Sequence, residues 1–411
     1  MSAELIEGAR VVFEDRVETA SVRIEEGRIT GIDVSSDGAT RVPAKGRFLA
    51  PAFVDVHGDA FERQVMPRPG VMVPIETALL ETDRQLAANG IATAYHALTL
   101  SWEPGLRSVE TGWKVVRALE ALRPRLTAEN RLQLRWETFC DSAEPLIAHV
   151  LAGADRPALA FNDHTTSMLL HPEVPVQDRP FDQAEDYPVT PFDAPRFLKK
   201  MQDQARRAHV SAEEYTALLT GVWQDRPRVP ARIARIAALA RAHGAPMLSH
   251  DDSQVVTRAY YRGLGAAVAE FPMHDRVFRA ARDAGDPIVL GAPNAMRGGS
   301  HLGSPGAAEM IARGLCDILA SDYFYPAMLG AMVRLHADRV APLAALWRLV
   351  SLNPARAMGL ADRGRIAPGL RADLVLLDWP EGHAPAPLRT WVSGRGGYSA
   401  LPAPRLGALA L

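Results

Sequence analysis

From Phe53 to about residue 355, short apolar runs alternate with stretches whose apolar positions recur every three or four residues. The run from Phe53, then Ile91 to Leu98, Leu132 to Glu137 and Ala158 to Asp163 read as strands. So do Met247 to Ser249, Ala266 to Phe271, Pro287 to Gly291 and Asp317 to Ser321. Helical patterns separate them. Before Met247, for example, Ile233, Ile236, Ala237 and Ala240 follow i, i+3, i+4, i+7 spacing, with Pro230 near the start and Gly244 past the end. About eight strands alternating with helices predict an α/β chain with a (β/α)8 TIM-type barrel. A doubly wound open sheet is the rival, but its glycine-rich first turn is not found.

Both ends follow a different rhythm. Ala9 to Phe13, Ser21 to Ile24 and Ile29 to Ile32 read as short strands, with a hairpin turn at Glu25-Glu26-Gly27-Arg28. After Pro354, Gly364 to Gly369 and Arg371 to Asp378 return to short β elements. Residues 1–50 and 356–411 are therefore expected to form one small β-sandwich beside a barrel spanning 51–355. One connection, 171–230, is overlong. It is first proline-rich and then helical, with Ser211-Ala212-Glu213-Glu214 as a capping box. Such insertions serve as lids or oligomer arms, which makes a homodimer the assembly to test.

Composition narrows the class. The 411 residues are 47% hydrophobic and 23% charged, as in globular enzymes, and the net charge of −2 recruits neither nucleic acid nor an anionic membrane. The two cysteines, Cys140 and Cys316, show no pairing or zinc-ribbon spacing, and the acidic first residues lack the apolar core of a signal peptide. No apolar run nears the roughly 20 residues needed to span a bilayer. A cytoplasmic enzyme is the expectation.

Barrel active sites lie at the carboxyl ends of the strands. Five strands end in candidate metal ligands: His57 and Asp59, Glu137, His164, His250, and Asp322. Taken singly each has a bland reading, such as a helix cap or a core histidine. Converging on one barrel end, they suit two divalent cations, most naturally Zn²⁺, with Mn²⁺ or Fe²⁺ also matching the donors. Glu137 is expected to bridge the pair. Two metals would activate water and clamp the attacking and leaving oxygens, and Asp322 would take the water's proton. Asp163, Asp251 and Asp252 are expected behind the histidines, orienting them.

The stretch Arg297-Gly298-Gly299-Ser300-His301 follows the seventh strand, where barrels often bind phosphate. Its glycines would let backbone N–H groups reach an anion, and Arg297 would chelate it. Arg68, between Pro67 and Pro69, is a second candidate clamp. A small phosphorylated substrate is the expected partner.

These motifs resemble the amidohydrolase superfamily. The resemblance rests on Pro51-Ala52-Phe53-Val54-Asp55-Val56-His57, on Asn353-Pro354-Ala355, and on Gly369-Leu370-Arg371-Ala372-Asp373-Leu374-Val375. Within it, six stretches resemble the diphosphatases that act on alpha-D-ribose 1-methylphosphonate 5-triphosphate. They are His57-Gly58-Asp59 with Pro67-Arg68-Pro69-Gly70, Ser249-His250-Asp251-Asp252, Ala269-Glu270-Phe271-Pro272, Gly291-Ala292-Pro293-Asn294, Arg297 to His301, and Ser321-Asp322-Tyr323. The resemblance implies removal of pyrophosphate by attack on the phosphorus nearest the sugar. The chain departs from that pattern at Thr165-Thr166-Ser167-Met168 and at Met273-His274. These departures leave open a paralogue acting on another phosphorylated substrate. C–N hydrolysis of a small amide, ureide or heterocycle is the alternative chemistry, and a non-catalytic scaffold is the third reading.

Overall fold

The computed structural model describes residues 3–299, 303 and 305–401. Eight parallel strands are ordered sequentially, each hydrogen-bonded to the next. They are β1 Phe53–Gly58, β2 Ile91–Leu100, β3 Glu129–Glu137, β4 Ala158–Asn162, β5 Met247–His250, β6 Val268–Glu270, β7 Ile288–Gly291 and β8 Ile318–Ala320. The predicted (β/α)8 barrel is present, and the strand boundaries agree with the apolar runs to within a few residues.

The barrel closes through the backbone of its candidate site. Gly58 and Asp322 form a parallel bridge between β1 and the second residue after β8. Asp322 N–H donates to the His57 carbonyl at 2.9 Å, and Asp59 N–H donates to the Asp322 carbonyl at 3.0 Å. Strand β1 carries one extra residue against β2, because Asp55 pairs with Ala94 while Gly58 already pairs with His96. That bulge re-aims the side chains that follow it. Asp55 braces it by accepting from Ser321 N–H at 2.9 Å and His57 N–H at 3.3 Å. Gly58 is required here, because a Cβ would lie 2.7 Å from Asp55 Oδ2 and 3.1 Å from Tyr325.

Val54, Val56, Tyr95, Ala158, Ala160, Leu248, Val268, Val289 and Ile318 form one buried cluster drawn from seven of the eight strands. Strand β3 is absent from it. The residues that alternate on its inward face are Gln133, Arg135 and Glu137, all buried and all polar. The floor of the barrel is thus apolar on most sides and polar along one strand.

The terminal segments build a second eight-stranded sheet. Leu374–Asp378 pairs antiparallel with Phe48–Pro51, which leads directly into β1. Its core includes Ile6, Val11, Val22, Leu49, Leu376 and Trp391. Gly364 to Gly369 is a turn segment rather than a strand, held by backbone bonds to Ile29. Between 171 and 230, helices Pro195–Ala208 and Ala212–Gln224 pack through Phe197, Met201, Tyr215 and Leu219. The Ser211–Glu214 capping box is formed. Among the described residues no helix is long and apolar enough to cross a membrane.

One ion cluster joins the barrel to the terminal sheet. Glu129, at the start of β3, accepts from Arg363 Nη1 at 2.6 Å and also binds Arg371. Burial opposes the Glu129 charge, but Arg363 and Arg371 outweigh it and lower its pKa from 4.5 to about 2. A carboxylate depressed in this way contributes stability above its unfolded pKa and loses it as pH falls through the folded value. Glu129→Gln is therefore expected to cost roughly 3 kcal/mol at neutral pH. Urea melts should show the difference from wild type shrinking between pH 4.5 and about 2. An unchanged gap across that window would count against the cluster as its source.

Candidate active site

The ends of β1, β3, β4, β5 and β6 and the turn after β8 surround a cavity of about 300 Å³. His57, Asp59, Arg135, His164, His250 and Asp322 line its inner end. Three residues at these strand ends adopt left-handed backbone conformations: Asp251 (φ 58°), Phe271 (φ 52°) and Asp322 (φ 55°). Strained positions of this kind cluster at functional sites.

Glu270, the last residue of β6, organises two of the histidines. Its Oε2 lies 2.7 Å from His250 Nδ1, and its Oε1 lies 3.0 Å from His57 Nδ1, a close ion-pair approach without full hydrogen-bond alignment. Gln133 Nε2 donates to the same Oε1 at 2.7 Å. Burial works against the Glu270 charge, but His57 and His250 outweigh it and hold the carboxyl far below its usual range. Burial likewise opposes a charged His57, yet Glu270 prevails and its pKa is raised. At His250 burial dominates and the pKa is lowered.

Arg135 fixes the His250 tautomer. Its Nη2 donates to His250 Nε2 at 2.8 Å and approaches His164 Nε2 at 3.4 Å. Arginine cannot accept a hydrogen bond, so His250 Nε2 presents its lone pair and Nδ1 carries the proton, whereas His164 Nδ1 also lies 2.9 Å from the Asn162 amide nitrogen. His250 then donates to Glu270, and His164 Nδ1 makes an ion-pair approach of 2.7 Å to Glu137 Oε1.

Glu137, expected to bridge two cations, is paired with His164 in this structure. Its carboxylate also accepts from His164 N–H at 3.0 Å and contacts Asn162 Nδ2. Burial disfavours its charge, but His164 outweighs this and lowers the pKa to about 2. Glu137 stands behind His164 and holds the ring, because the helix His164–Leu169 starts against it.

His57, Asp59 and Asp322 bring one ligand atom each to within 4.8 Å of one another, and so do His164, His250 and Asp251. Imidazole nitrogens with carboxylate oxygens are the donors that Zn²⁺, Mn²⁺ and Fe²⁺ take. Crowding supports the fit of a cation at the first set. Burial, and then repulsion from Asp59, push the Asp322 carboxyl up to about 6.

The remaining expected residues divide. Asp251 faces the cavity, its Oδ2 3.5 Å from His250 Nε2. Asp252 instead bonds Ser249 and lies 3.6 Å from Arg258, and so orients no histidine. Asp163 caps the helix that begins at His164, accepting from Thr166 N–H at 2.8 Å. Arg179, from the long insertion, grips the Asp163 and Asp251 carbonyls, each at 3.2 Å.

In the glycine loop the backbone amides already have partners. Gly298 and Gly299 both donate their N–H groups to the Asn294 carbonyl, at 3.1 and 3.0 Å. Gly298, at φ 84°, ends the helix Ala292–Arg297 in a left-handed turn, so these amides are committed to the helix end. Arg297 is exposed and lines the cavity. Ser300 and His301 lie outside the described residues. Arg68 lines a separate cavity of about 400 Å³ with Glu62, Arg63, Glu103 and Arg107.

Two residues escaped the reading of strand ends. Glu270 stood inside a quoted motif, but an acid in an apolar strand gives no hint that two histidines face it. Arg135 carried a signal, because polar residues at 133, 135 and 137 mark an inward polar face of β3.

Comparison with known proteins places this geometry. The model of the family described as Amidohydrolase family matches residues 76–396. The chain is 31% identical over 390 residues to the alpha-D-ribose 1-methylphosphonate 5-triphosphate diphosphatase of Escherichia coli (strain K12), covering 92% of this chain and 96% of that protein. A shorter match, 54% over 78 residues, links 19% of this chain to 13% of an adenine deaminase of Methylobacterium sp. (strain 4-46). The structure is similar to that of phenylurea hydrolase B, with a TM-score of 0.61 at 16% identity over 96% of each chain. At that identity the likeness is one of fold.

Proposed function

The chain belongs to the amidohydrolase family, and we propose that within it the chain is a diphosphatase releasing pyrophosphate from alpha-D-ribose 1-methylphosphonate 5-triphosphate. The observation that carries this reading is the end-to-end similarity to the Escherichia coli diphosphatase. The site supports it by pairing a cation-ligand set with two arginines on one cavity, Arg135 inside and Arg297 at the mouth.

His57, Asp59 and Asp322 are the residues that would hold a divalent cation. When bound, it supplies acidification of water and neutralisation of phosphoryl charge. The chain's residues do the rest. Water forms a bond to the phosphorus nearest the sugar, its proton passes to the Asp322 carboxylate, and the P–O bond to pyrophosphate breaks. Glu270 keeps the His250 and His57 protons on Nδ1, away from the cavity. Phe271 packs edge-on against the His57 and His250 rings, and Met273 lines the same cavity. Arg297 receives the departing pyrophosphate through its two-pronged guanidinium.

Metal-supplemented protein offered ribose 5-triphosphates and nucleoside triphosphates tests the reading. Pyrophosphate with a ribose 5-monophosphate is the expected product pair. Orthophosphate alone, or no phosphorus release, would overturn it. The adenine deaminase match motivates the competing C–N reading, for which ammonia release from adenine is the assay. Arg297→Ala is expected to raise KM for the triphosphate about 10- to 100-fold, the equivalent of a lost charged hydrogen-bond pair. Steady-state kinetics showing an unchanged KM would remove Arg297 from the anion site.

A further inference from the structure

Arg135 occupies the space between the two ligand sets. Its guanidinium donates to His250 Nε2 at 2.8 Å and to Asn162 Oδ1 at 3.3 Å. It stands 3.4 Å from His164 Nε2, and its Nη1 stands 3.6 Å from Asp59 Oδ2. The side chain is 7% exposed. A buried charge persists only with several partners, and the histidines and Asp59 are those partners. The His250 lone pair that meets the guanidinium is one that a cation at His164, His250 and Asp251 would need, and the guanidinium stands against His164 Nε2 as well. One lone pair cannot serve both. The carboxylate that would have bridged two cations is also engaged elsewhere, since Glu137 binds His164 and Asn162.

The geometry points to a single-cation centre in which Arg135 is a permanent substitute for the second metal, leaving His57, Asp59 and Asp322 as the one site for a divalent ion. This rests on the metal-dependent reading above. It also narrows the substrate class. A phosphoryl group entering the cavity meets the fixed positive charge of the guanidinium, whose Nη1 is its least engaged nitrogen, 3.6 Å from Asp59. An uncharged amide finds no second metal to polarise its carbonyl. Arg135 is thus a specificity-determining residue, favouring anionic phosphorylated substrates over neutral ones.

Metal stoichiometry tests this without reference to turnover. The full chain is equilibrated with excess Mn²⁺, desalted, and assayed for metal per chain, and its electron paramagnetic resonance spectrum is recorded. Wild type should retain about one Mn²⁺ with the six-line spectrum of an isolated ion, and Arg135→Gln about two with an exchange-coupled signal. Arg135→Lys keeps the charge and should stay near one. Two retained ions in wild type, or none, would overturn the inference. Should a variant fail to fold, the wild-type ratio still decides. The diphosphatase reading fails separately: one retained ion without pyrophosphate release sinks that reading alone, and two ions with release sink only this one.

Discussion

Replacing Asp322 by Asn is expected to lower kcat by about two to four orders of magnitude, the usual worth of a positioned proton acceptor. The fold should survive. The Asp322 backbone, not its carboxylate, closes the barrel, through bonds to His57 and Asp59. Its φ of 55° suits Asn, among the few residues at ease in the left-handed region. The carboxylate itself is a burden in metal-free protein, because burial and then Asp59 push its pKa up to about 6. An amide removes that repulsion. Chelator-treated Asp322→Asn protein should therefore melt at or above the wild-type temperature while its activity is nearly gone. Thermal melts and kcat on the same preparations check both halves. A loss of activity under tenfold would take the proton away from Asp322. A large fall in melting temperature would make its role structural.

The same residue shows what the sequence could reveal. Asp322 was legible because it follows the last apolar run of a repeating series, and barrel topology places all such positions at one end. His57 and Asp59 were legible for the same reason at the first strand. The bulge that aims them was not, because one extra residue in β1 leaves no mark on hydrophobic periodicity. The terminal sheet was foreseeable from alternation and from the economy of adjacent chain ends. Its specific junction, Leu374–Asp378 against Phe48–Pro51, is a long-range pairing that no local pattern encodes.

The expected site residues that are found with other partners share a physical cause. A polar side chain can satisfy itself locally before it reaches a site. Gly298 and Gly299 looked like an anion nest, but six residues of helix are too few to show a period, so the helix end they terminate was invisible. Glu137 looked like a bridge, but His164 and Asn162 lie close enough to claim both its oxygens. Asp252 was claimed by Ser249 in the same way. Arg68 follows the first strand in sequence yet lines a different cavity, because the chain turns outward at the helix Phe61–Val65. Spacing identifies which strand end a residue serves. It does not identify which neighbour reaches it first.

Glu270→Gln carries the other large expected effect, a 10- to 100-fold loss of metal affinity, although Glu270 need not be a ligand. The carboxylate faces an imidazole Nδ1 with each oxygen, His250 at 2.7 Å and His57 at 3.0 Å. It therefore favours the proton on Nδ1 of both rings and leaves both Nε2 lone pairs for the cavity. Glutamine offers one oxygen and one NH2 group. At one of the two rings an N–H must then meet an N–H. That ring escapes by moving its proton to Nε2, and the lone pair available to a cation is lost. At His57 the shift would remove a ligand of the proposed ion. At His250 it would break the bond from Arg135, which has no acceptor capacity to offer in return. Zinc competition against a chelator measures the first outcome. The metal dependence of kcat/KM should shift to higher concentration in parallel, recovering in part at saturation. Unchanged zinc affinity would mean that His57 keeps its tautomer without Glu270. Arg135→Gln reaches His250 and His164 but not His57, so zinc affinity at the His57 set should survive that change, and the Glu270 and Arg135 variants, measured side by side, separate the residue that orients the histidines from the residue that fills the space between them.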